Sequence, residues 1–515
     1  MTEHPGPRSL WAQTSRTVSA DDDLPAEADV AIAGAGLAGV ATALILSRGG
    51  HRVVVFDAAG IGARTTGAST AKLSLLQGTI HSSLRRRTDR RTLRAYGEAQ
   101  RLAQEWIRRE VHEATGIEER RDAYTYATTA AGDDAVRAEA EASRLAGLHP
   151  DVLGAGDIGL PFPVTSALRL PDQSQLHPLL LLDHLVRKAR SCGALFVGDC
   201  RLTGVRRQGD GLRVETSRGG IRAGRLVVTT GFPVIDRSLL FAKLVPSRQI
   251  VGTYRLPDTA PPPPGMFLSV DAVSRSSRTA HDPQGAPVLL AGGDAFVPGR
   301  EQDTRERLDS LDRWVTARFD GAARTGWWAA QDYLKADHRP FFGPVPSTGG
   351  RVLAATGFGK WGMTNAVAAA IALAARIDAV PPDWAVPFSG SGVRLRGAGG
   401  MLTGNASVAR EMLRGWLSPS YAFDDLPAGT SARVRRRGPV PVAESTRDGV
   451  RCVVSGVCTH LGGVLRWNTA EGSWDCPLHG SRFSPTGRVL EGPATRDLPR
   501  LTAGGDVSGS AHEGS

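Results

Sequence analysis

Residues 29–50 read DVAIAGAGLAGVATALILSRGG, an apolar run that breaks at glycines and resumes as an Ala/Leu-rich segment. A strand from Asp29, a turn through Gly34, Ala35, Gly36, Leu37, Ala38 and Gly39, and a helix from Val40 make the three parts of a dinucleotide-binding unit. Gly34 permits the tight turn, Gly36 lets backbone approach a pyrophosphate, and Gly39 lets the helix pack close to the strand. The helix start would offer N–H groups and a positive dipole end to phosphates. The next strand, HRVVVFD (51–57), ends at Asp57, where a carboxylate can accept hydrogen bonds from ribose hydroxyls. A bare glycine pattern would equally suit an unliganded strand–helix turn. Strand, glycines, helix and acid in register favour the ligand-binding reading. They do not separate FAD from NAD.

Outward from this unit, the chain has 515 residues, room for about two to four domains. Its 41% hydrophobic and 22% charged content is that of a globular protein. The N-terminal MTEHPGPRSLWAQTSRTV has no apolar core of a secretory signal. No stretch reaches the roughly 18 apolar residues of a membrane span, and Ala366–Ile377 is short and contains Arg376. The expectation is a soluble, cytoplasmic protein. The net charge of +10 raises a nucleic-acid reading. Between Arg85 and Arg109, however, Leu93, Tyr96, Ala103 and Ile107 fall at helical spacing, which makes the arginines a solvated helix face. No nucleic-acid partner is therefore expected, and an anionic protein partner or substrate is the milder alternative. Five cysteines do not make a disulfide framework, and Cys192, Cys200 and Cys452 are expected as small buried apolar residues.

The order of segments predicts a flexible leader over residues 1–27 and a mixed α/β main domain over 28–414. Within it, Leu179–Arg190 reads as a helix, Ala194–Val197 and Arg225–Thr229 as strands, and the PPPP at 261–264 as part of a loop. A linker follows at 415–432, then a small all-β domain of short strands at 433–502 and a disordered tail at 503–515.

The small domain carries CTHLGGVLRWNTAEGSWDCPLHGSRF (458–483). Its chelating pattern is Cys458-x-His460, fifteen residues, then Cys476-x-x-His479. Two loops that each supply one thiolate and one imidazole meet the demand of a [2Fe–2S] centre with two Cys on one iron and two His on the other. Structural zinc also takes Cys and His, but the usual finger order is two Cys and then two His, not Cys-His-Cys-His. With the trailing GRVLEGPATRDLP (487–499), the segment resembles the Rieske family over about 70 residues. That resemblance implies Cys458, His460, Cys476 and His479 as ligands of a Rieske [2Fe–2S] cluster. High-potential members carry two further cysteines where this chain has Gly463 and Leu478. They also carry a serine and a tyrosine that hydrogen-bond to sulfur; Ser481 matches the first, and Phe483 replaces the second. The expected potential therefore lies between the extremes of roughly −150 and +300 mV.

Two segments of the main domain settle the dinucleotide by resemblance. GARTTGASTAKLSLLQG (62–78) and ATGFGKWGMTNAVAAAIALAARI (355–377) resemble segments of the D-amino-acid-oxidase-like (DAO) FAD-dependent oxidoreductases, over roughly residues 29–400. The resemblance implies an FAD-binding Rossmann-like fold with an interleaved substrate subdomain. It places Ser69, Thr70, Ala71 and Lys72 near the pyrophosphate or the flavin ring, and Gly357, Gly359, Gly362, Met363 and Thr364 near the ring. Val205, after ALFVGDCRLTGV (194–205), would meet the adenine through its backbone. DHRPFFGPV (337–345) departs from the family's usual segment at His338 and Phe341, which puts the family's substrate preference in doubt here.

A flavin takes two electrons as a hydride and a Rieske cluster carries one, so their union in one chain implies a two-to-one electron converter. The leading expectation is dehydrogenation of a small amine or amino acid, with electrons passed on to an external acceptor. Hydride abstraction needs little acid–base help, so no catalytic base is assigned. His177, His338, Lys72 and Lys360 are the side chains considered for the pocket, His177 as a helix-start residue first and the lysines as solvated groups first. The alternative is an electron-transfer or redox-sensing component with no small substrate, docking an acidic ferredoxin-like partner. A Rieske oxygenase is disfavoured, since only 36 residues follow His479 and no facial-triad segment is visible.

Overall fold

The strand Glu27–Ala33 lies parallel between Val53–Phe56 and Gly219–Val228, and its last four residues are buried. A near-continuous apolar run is what a strand covered on both faces requires. The sheet continues through Leu195–Val197 on one side, and through Val352–Thr356 and Phe341–Pro344 on the other. A hairpin, Leu202–Gln208 and Gly211–Thr216, extends it beside Gly219–Val228. In the computed structural model the described residues are 7–501 except 17, 21, 157, 236–242, 302, 391–397, 418–420, 424–425, 427–429 and 448, with backbone alone for 398–405 and 421–423. The expected tail at 503–515 lies outside the described residues.

Helix Leu37–Arg48 is buried on almost every face and packs with helix Gly362–Ile377 and helix Pro178–Ser191. At Gly39 a Cβ would fall 1.9 Å from Gly34 O, so only glycine allows this helix to approach its own turn. The arginine-rich segment forms two helices, Ile80–Arg87 and Arg90–Val111, the second capped by Asp89, whose carboxylate accepts from Thr92 N at 2.8 Å. Leu93, Tyr96, Ala103 and Ile107 are buried as the spacing predicts.

A second, largely antiparallel sheet of nine strands includes Leu244–Arg255, Ala323–Lys335 and Pro287–Phe296. Its two longest strands pair over twelve residues, Leu244 to Arg255 against Lys335 to Ala323, and supply one wall of the cavity described below. Among the described residues no helix is long and apolar enough to cross a membrane.

The C-terminal part folds as two four-stranded antiparallel sheets around Trp467, Trp474, Leu465 and Phe483. Helix Ala398–Leu417 runs past the expected boundary at 414, and Val408 and Met412 pack against this C-terminal core. Its Glu411 pairs with Arg466 at 3.0 Å, both nearly buried.

Two sequence expectations change here. Residues of the leader form the helix Leu10–Thr14, with Leu10 and Trp11 buried and Trp11 Nε1 donating to Ser69 O at 2.7 Å; the apolar pair anchors what composition alone reads as flexible. Cys192 is exposed and Cys452 half-buried, because the first caps a surface helix and the second sits on an outer strand; Cys200 is buried as expected.

The C-terminal part is held to the second sheet by buried charge. Arg248, 3% exposed on the strand Leu244–Arg255, pairs with Glu471 and, at 3.2 Å, with Glu491. Arg482 joins the same acids, 3.0 Å from Glu471, and also Asp475 at 3.2 Å. Thr304, Asp303 and Arg300 add hydrogen bonds to Asn468, Thr469 and Pro477 O. Burial alone would raise the Glu471 pKa, but Arg248 and Arg482 hold it down at about 2. Its folded pKa therefore lies below the unfolded one. The stability it contributes is present above about pH 4.5 and fades as pH falls toward about 2. Replacing Arg248 by Met leaves Glu471 and Glu491 buried without their main partner, and a loss of about 3–5 kcal/mol is expected in urea unfolding. In the variant, the acid-unfolding midpoint should move to higher pH.

Candidate functional site

The turn Gly34–Gly39 opens into a cavity that runs from the first sheet to the second. At its near end Gly34 has φ +106°, and a Cβ there would lie 2.7 Å from Thr229 O. The helix start at Gly36 carries no side-chain cap, and Leu37 N donates to Thr66 Oγ1 at 3.1 Å. Asp57 closes this end. Its carboxylate accepts from Ala35 N at 2.9 Å, Ala59 N at 2.8 Å and Gly60 N at 3.1 Å, which fixes the turn and leaves acceptor capacity toward the cavity. Arg64 and Arg201 line the same end.

The far end is lined by Phe358, Lys360, Gly362 and Met363 on one side and by Gln249, Val251 and Ala330–Tyr333 on the other. Lys360 takes φ +73°, and Asp332 stabilises this conformation by accepting from Lys360 N. Burial pushes the Asp332 pKa up and the Lys360 pKa down. The C-terminal domain contributes Leu490, Glu491, Gly492, Ala494 and Thr495 to the lining.

Among the residues expected from sequence, Gly34, Gly36, Leu37, Ala38, Asp57, Ser69, Thr70, Gly362 and Met363 line this cavity. Gly39, Ala71, Lys72, Gly357, Gly359 and Thr364 are not among the lining residues. Lys72 Nζ donates to Phe267 O at 2.9 Å, and burial pushes its pKa down to about 7, so it is not a solvated lysine. Thr364 Oγ1 accepts from Gln77 at 3.1 Å. Val205 is not among the lining residues; Cys200, Arg201 and Leu202, at the start of the same strand, are. Neither His177 nor His338 lines it. His177 caps helix Pro178–Ser191, with Nδ1 accepting from Leu180 N at 3.2 Å and Nε2 facing Thr14 Oγ1 at 2.9 Å, and burial pushes its pKa down to about 4. Sequence reasoning missed Thr66, although it stands in the segment 62–78, and also Thr229–Phe232, Gln331 and the segment 490–495, which stand in no motif that names a dinucleotide.

The two chelating loops are matched turns. Cys458 N donates to Gly463 O at 2.9 Å, and Cys476 N donates to Ser481 O at 2.8 Å. Gly462 at φ +72° and Gly480 at φ +76° reverse the chain in each. The thiols of Cys458 and Cys476 lie side by side and are buried. The rings of His460 and His479 stand 5.2 Å apart, nearly perpendicular. Burial and the neighbouring His460 push the His479 pKa down to about 4, which keeps that imidazole neutral, as ligation requires. Among the described residues no three His, Cys, Asp or Glu side chains gather as around one metal ion. A thiol pair facing an imidazole pair suits two irons better than a single tetrahedral zinc. Leu478 fills the place beside Gly463, where a Cβ would lie 2.7 Å from Leu478 Cγ. Ser481 Oγ lies between Cys458 and Ala494 N, from which it accepts at 3.0 Å.

The imidazole pair points inward, at the cavity. Phe232 packs edge-on against His460 at 6.2 Å, His479 at 6.1 Å and Tyr333 at 5.2 Å between ring centroids, and both Phe232 and Tyr333 line the cavity. Gln331 Nε2 bridges Tyr333 OH at 3.0 Å and Gly480 O at 2.9 Å.

Comparison with known proteins agrees with both sites. Residues 29–376 match the family model of FAD dependent oxidoreductases (DAO), and residues 418–502 match that of the Rieske [2Fe-2S] domain. A Rieske 2Fe-2S iron-sulfur protein of Bacillus subtilis (strain 168), YhfW, is 30% identical over 92% of this chain and 93% of its own length. A cytochrome b6-f complex iron-sulfur subunit of Desmonostoc is 34% identical over 18% of this chain and 55% of its own length. Among solved structures, glycine oxidase from Geobacillus kaustophilus shares the fold over 72% of this chain and all of its own, with TM-score 0.55 and 18% identity. L-amino acid deaminase from Proteus myxofaciens does so over 76% of this chain and 99% of its own, with TM-score 0.57 and 16% identity.

The residues fit both groups. The glycine cradle, the uncapped helix start and Asp57 suit a dinucleotide, and the Cys and His pairs suit the cluster. The Ser481 hydroxyl beside Cys458 should stabilise the reduced cluster. Ser481→Ala is expected to lower the midpoint potential by roughly 60 mV, the equivalent of about 1.4 kcal/mol for one electron. EPR-monitored redox titration measures it, and an unchanged midpoint would remove Ser481 from the tuning of the cluster.

Proposed function

We propose a function for a chain that belongs to the DAO family of FAD-dependent oxidoreductases and carries a C-terminal Rieske [2Fe–2S] domain: it dehydrogenates a small amine or amino acid and passes the electrons between flavin and cluster. When bound, the flavin supplies hydride acceptance and the cluster one-electron transfer. The observation that carries the reading is Phe232, which touches the rings of both His460 and His479 while lining the dinucleotide cavity.

The chain's own residues then have defined tasks. Gly34, Gly36 and Asp57 orient the dinucleotide, and Gly362 and Met363 flank the ring end. Cys458, Cys476, His460 and His479 hold the irons. Phe232 and Tyr333 fill the space between the imidazoles and the cavity and exclude water from it. The substrate class rests on family likeness, in which glycine oxidase and L-amino acid deaminase share the fold. A second reading is an electron-transfer component of the cytoplasm that meets an acidic one-electron carrier. It draws support from the net charge of +10 and from the C-terminal wall across the cavity.

Anaerobic mixing with a panel of amines and amino acids separates the two. Bleaching of the flavin absorbance followed by growth of the reduced-cluster EPR signal supports dehydrogenation. A panel that never bleaches the flavin, with salt-sensitive reduction by an acidic ferredoxin-type protein, supports the second reading. In either case Phe232→Ala should slow the electron exchange between the two centres severalfold while leaving iron and FAD content unchanged. Equal rates in stopped-flow absorption would remove Phe232 from the path.

A further inference from the structure

We infer that the FAD site is built by both domains: the segment Leu490–Thr495 of the C-terminal domain forms one wall of it, so that flavin binding and docking of the cluster domain stabilise each other. This rests on FAD occupying the cavity of the main domain. The family alone assigns no part of the flavin site to a Rieske domain.

The wall is anchored at both of its faces. Ala494 N donates to Ser481 Oγ at 3.0 Å inside the cluster domain, while Glu491 pairs with Arg248 at 3.2 Å and Tyr333 OH reaches Gly492 O at 3.5 Å across the interface. Gly492 lines the cavity, and a Cβ built there meets only the backbone of Ala494, at 4.0 Å. A Cβ at this lining position therefore meets open space and no close contact inside the protein.

Charge points the same way. Arg64 and Arg201 line the cavity at its Asp57 end, and no ion pair is made by either among the described residues. Arg64 is open to the solvent of the cavity although protein crowds it. The acids that act on Arg64 are Asp57 of the main domain and Glu491 of the cluster domain; those that act on Arg201 are Asp57 and Asp497. Both guanidiniums thus feel the charge of acids from both domains without pairing with any of them among the described residues. Each keeps donors for the diphosphate of a dinucleotide, a ligand that guanidinium groups bind well. A ligand seated against the wall binds only the docked arrangement, and linkage then requires that docking tighten its affinity by the same factor.

Hydrogen exchange on the unaltered protein tests this directly. Protein stripped of flavin but retaining its cluster is compared with the same protein after reconstitution with FAD. Amides of residues 490–495 should gain at least tenfold protection on FAD binding. Stoichiometric FAD with no added protection there overturns the inference and leaves the FAD assignment intact, whereas failure to bind FAD at all overturns that assignment. Gly492→Phe gives a second, independent readout. It should keep iron and sulfide at the unaltered ratio yet retain at least tenfold less FAD after ultrafiltration. Wild-type FAD retention in that variant also overturns the shared site, and the exchange comparison decides the matter if the variant misfolds.

Discussion

Arg248 is a cation inside the protein whose ion-pair partners, Glu471 and Glu491, come from the other domain. A guanidinium at 3% exposure cannot be left alone, since a buried charge without partners costs several kcal/mol. Separating the domains would strand Arg248 on one surface and two acids on the other, all shaped to meet. Such pairs add little net stability over apolar packing but fix register strongly. Register is what a two-centre redox protein needs, because it decides which face of the cluster meets which face of the flavin cavity. Arg482, tied to Glu471 and Asp475 within the cluster domain, extends the lock toward the strand that precedes the second chelating loop.

Two contacts follow from that register. On the imidazole side, Phe232 stands between His460, His479 and the cavity. On the thiol side, Ser481 joins Cys458 to Ala494, which lines the same cavity. Leu478 packs so close to Gly463 that a Cβ there would lie 2.7 Å from Leu478 Cγ, which places the two chelating loops side by side. The imidazole pair is therefore packed against the main domain, with Phe232 between it and the cavity.

Much of this was legible in the sequence where the signal is local. Gly34, Gly36, Gly39 and Asp57 act within one strand–turn–helix–strand unit, and the four chelating residues lie within two short loops, so spacing alone places them. What escaped were contacts made by packing over long sequence distance. Segment 490–495 begins 456 residues after Gly34, and nothing in LEGPAT signals a wall of that cavity. Val205 follows the three residues, Cys200 to Leu202, that reach the lining, and its backbone contact to an adenine stands as a proposal carried by the resemblance. The leader misled for a different reason: its polar composition hides Leu10 and Trp11, two apolar side chains that suffice to anchor a single helical turn.

The cavity's own chemistry narrows what can react in it. His177 caps a helix and His338 lies away from the lining, so neither imidazole is available at the ring end. Arg248 is consumed by its acids. The polar groups at the far end include Lys360, Asp332, Tyr333, Gln249 and the amide of Gln331, whose Oε1 is buried without a hydrogen bond among the described residues. Burial raises the Asp332 pKa and lowers that of Lys360, which brings both closer to neutral pH than either group would be in water. Among the described residues no arginine or histidine lines this end, so Lys360 and Asp332 are the ionisable side chains a bound molecule meets there together with the Tyr333 phenol.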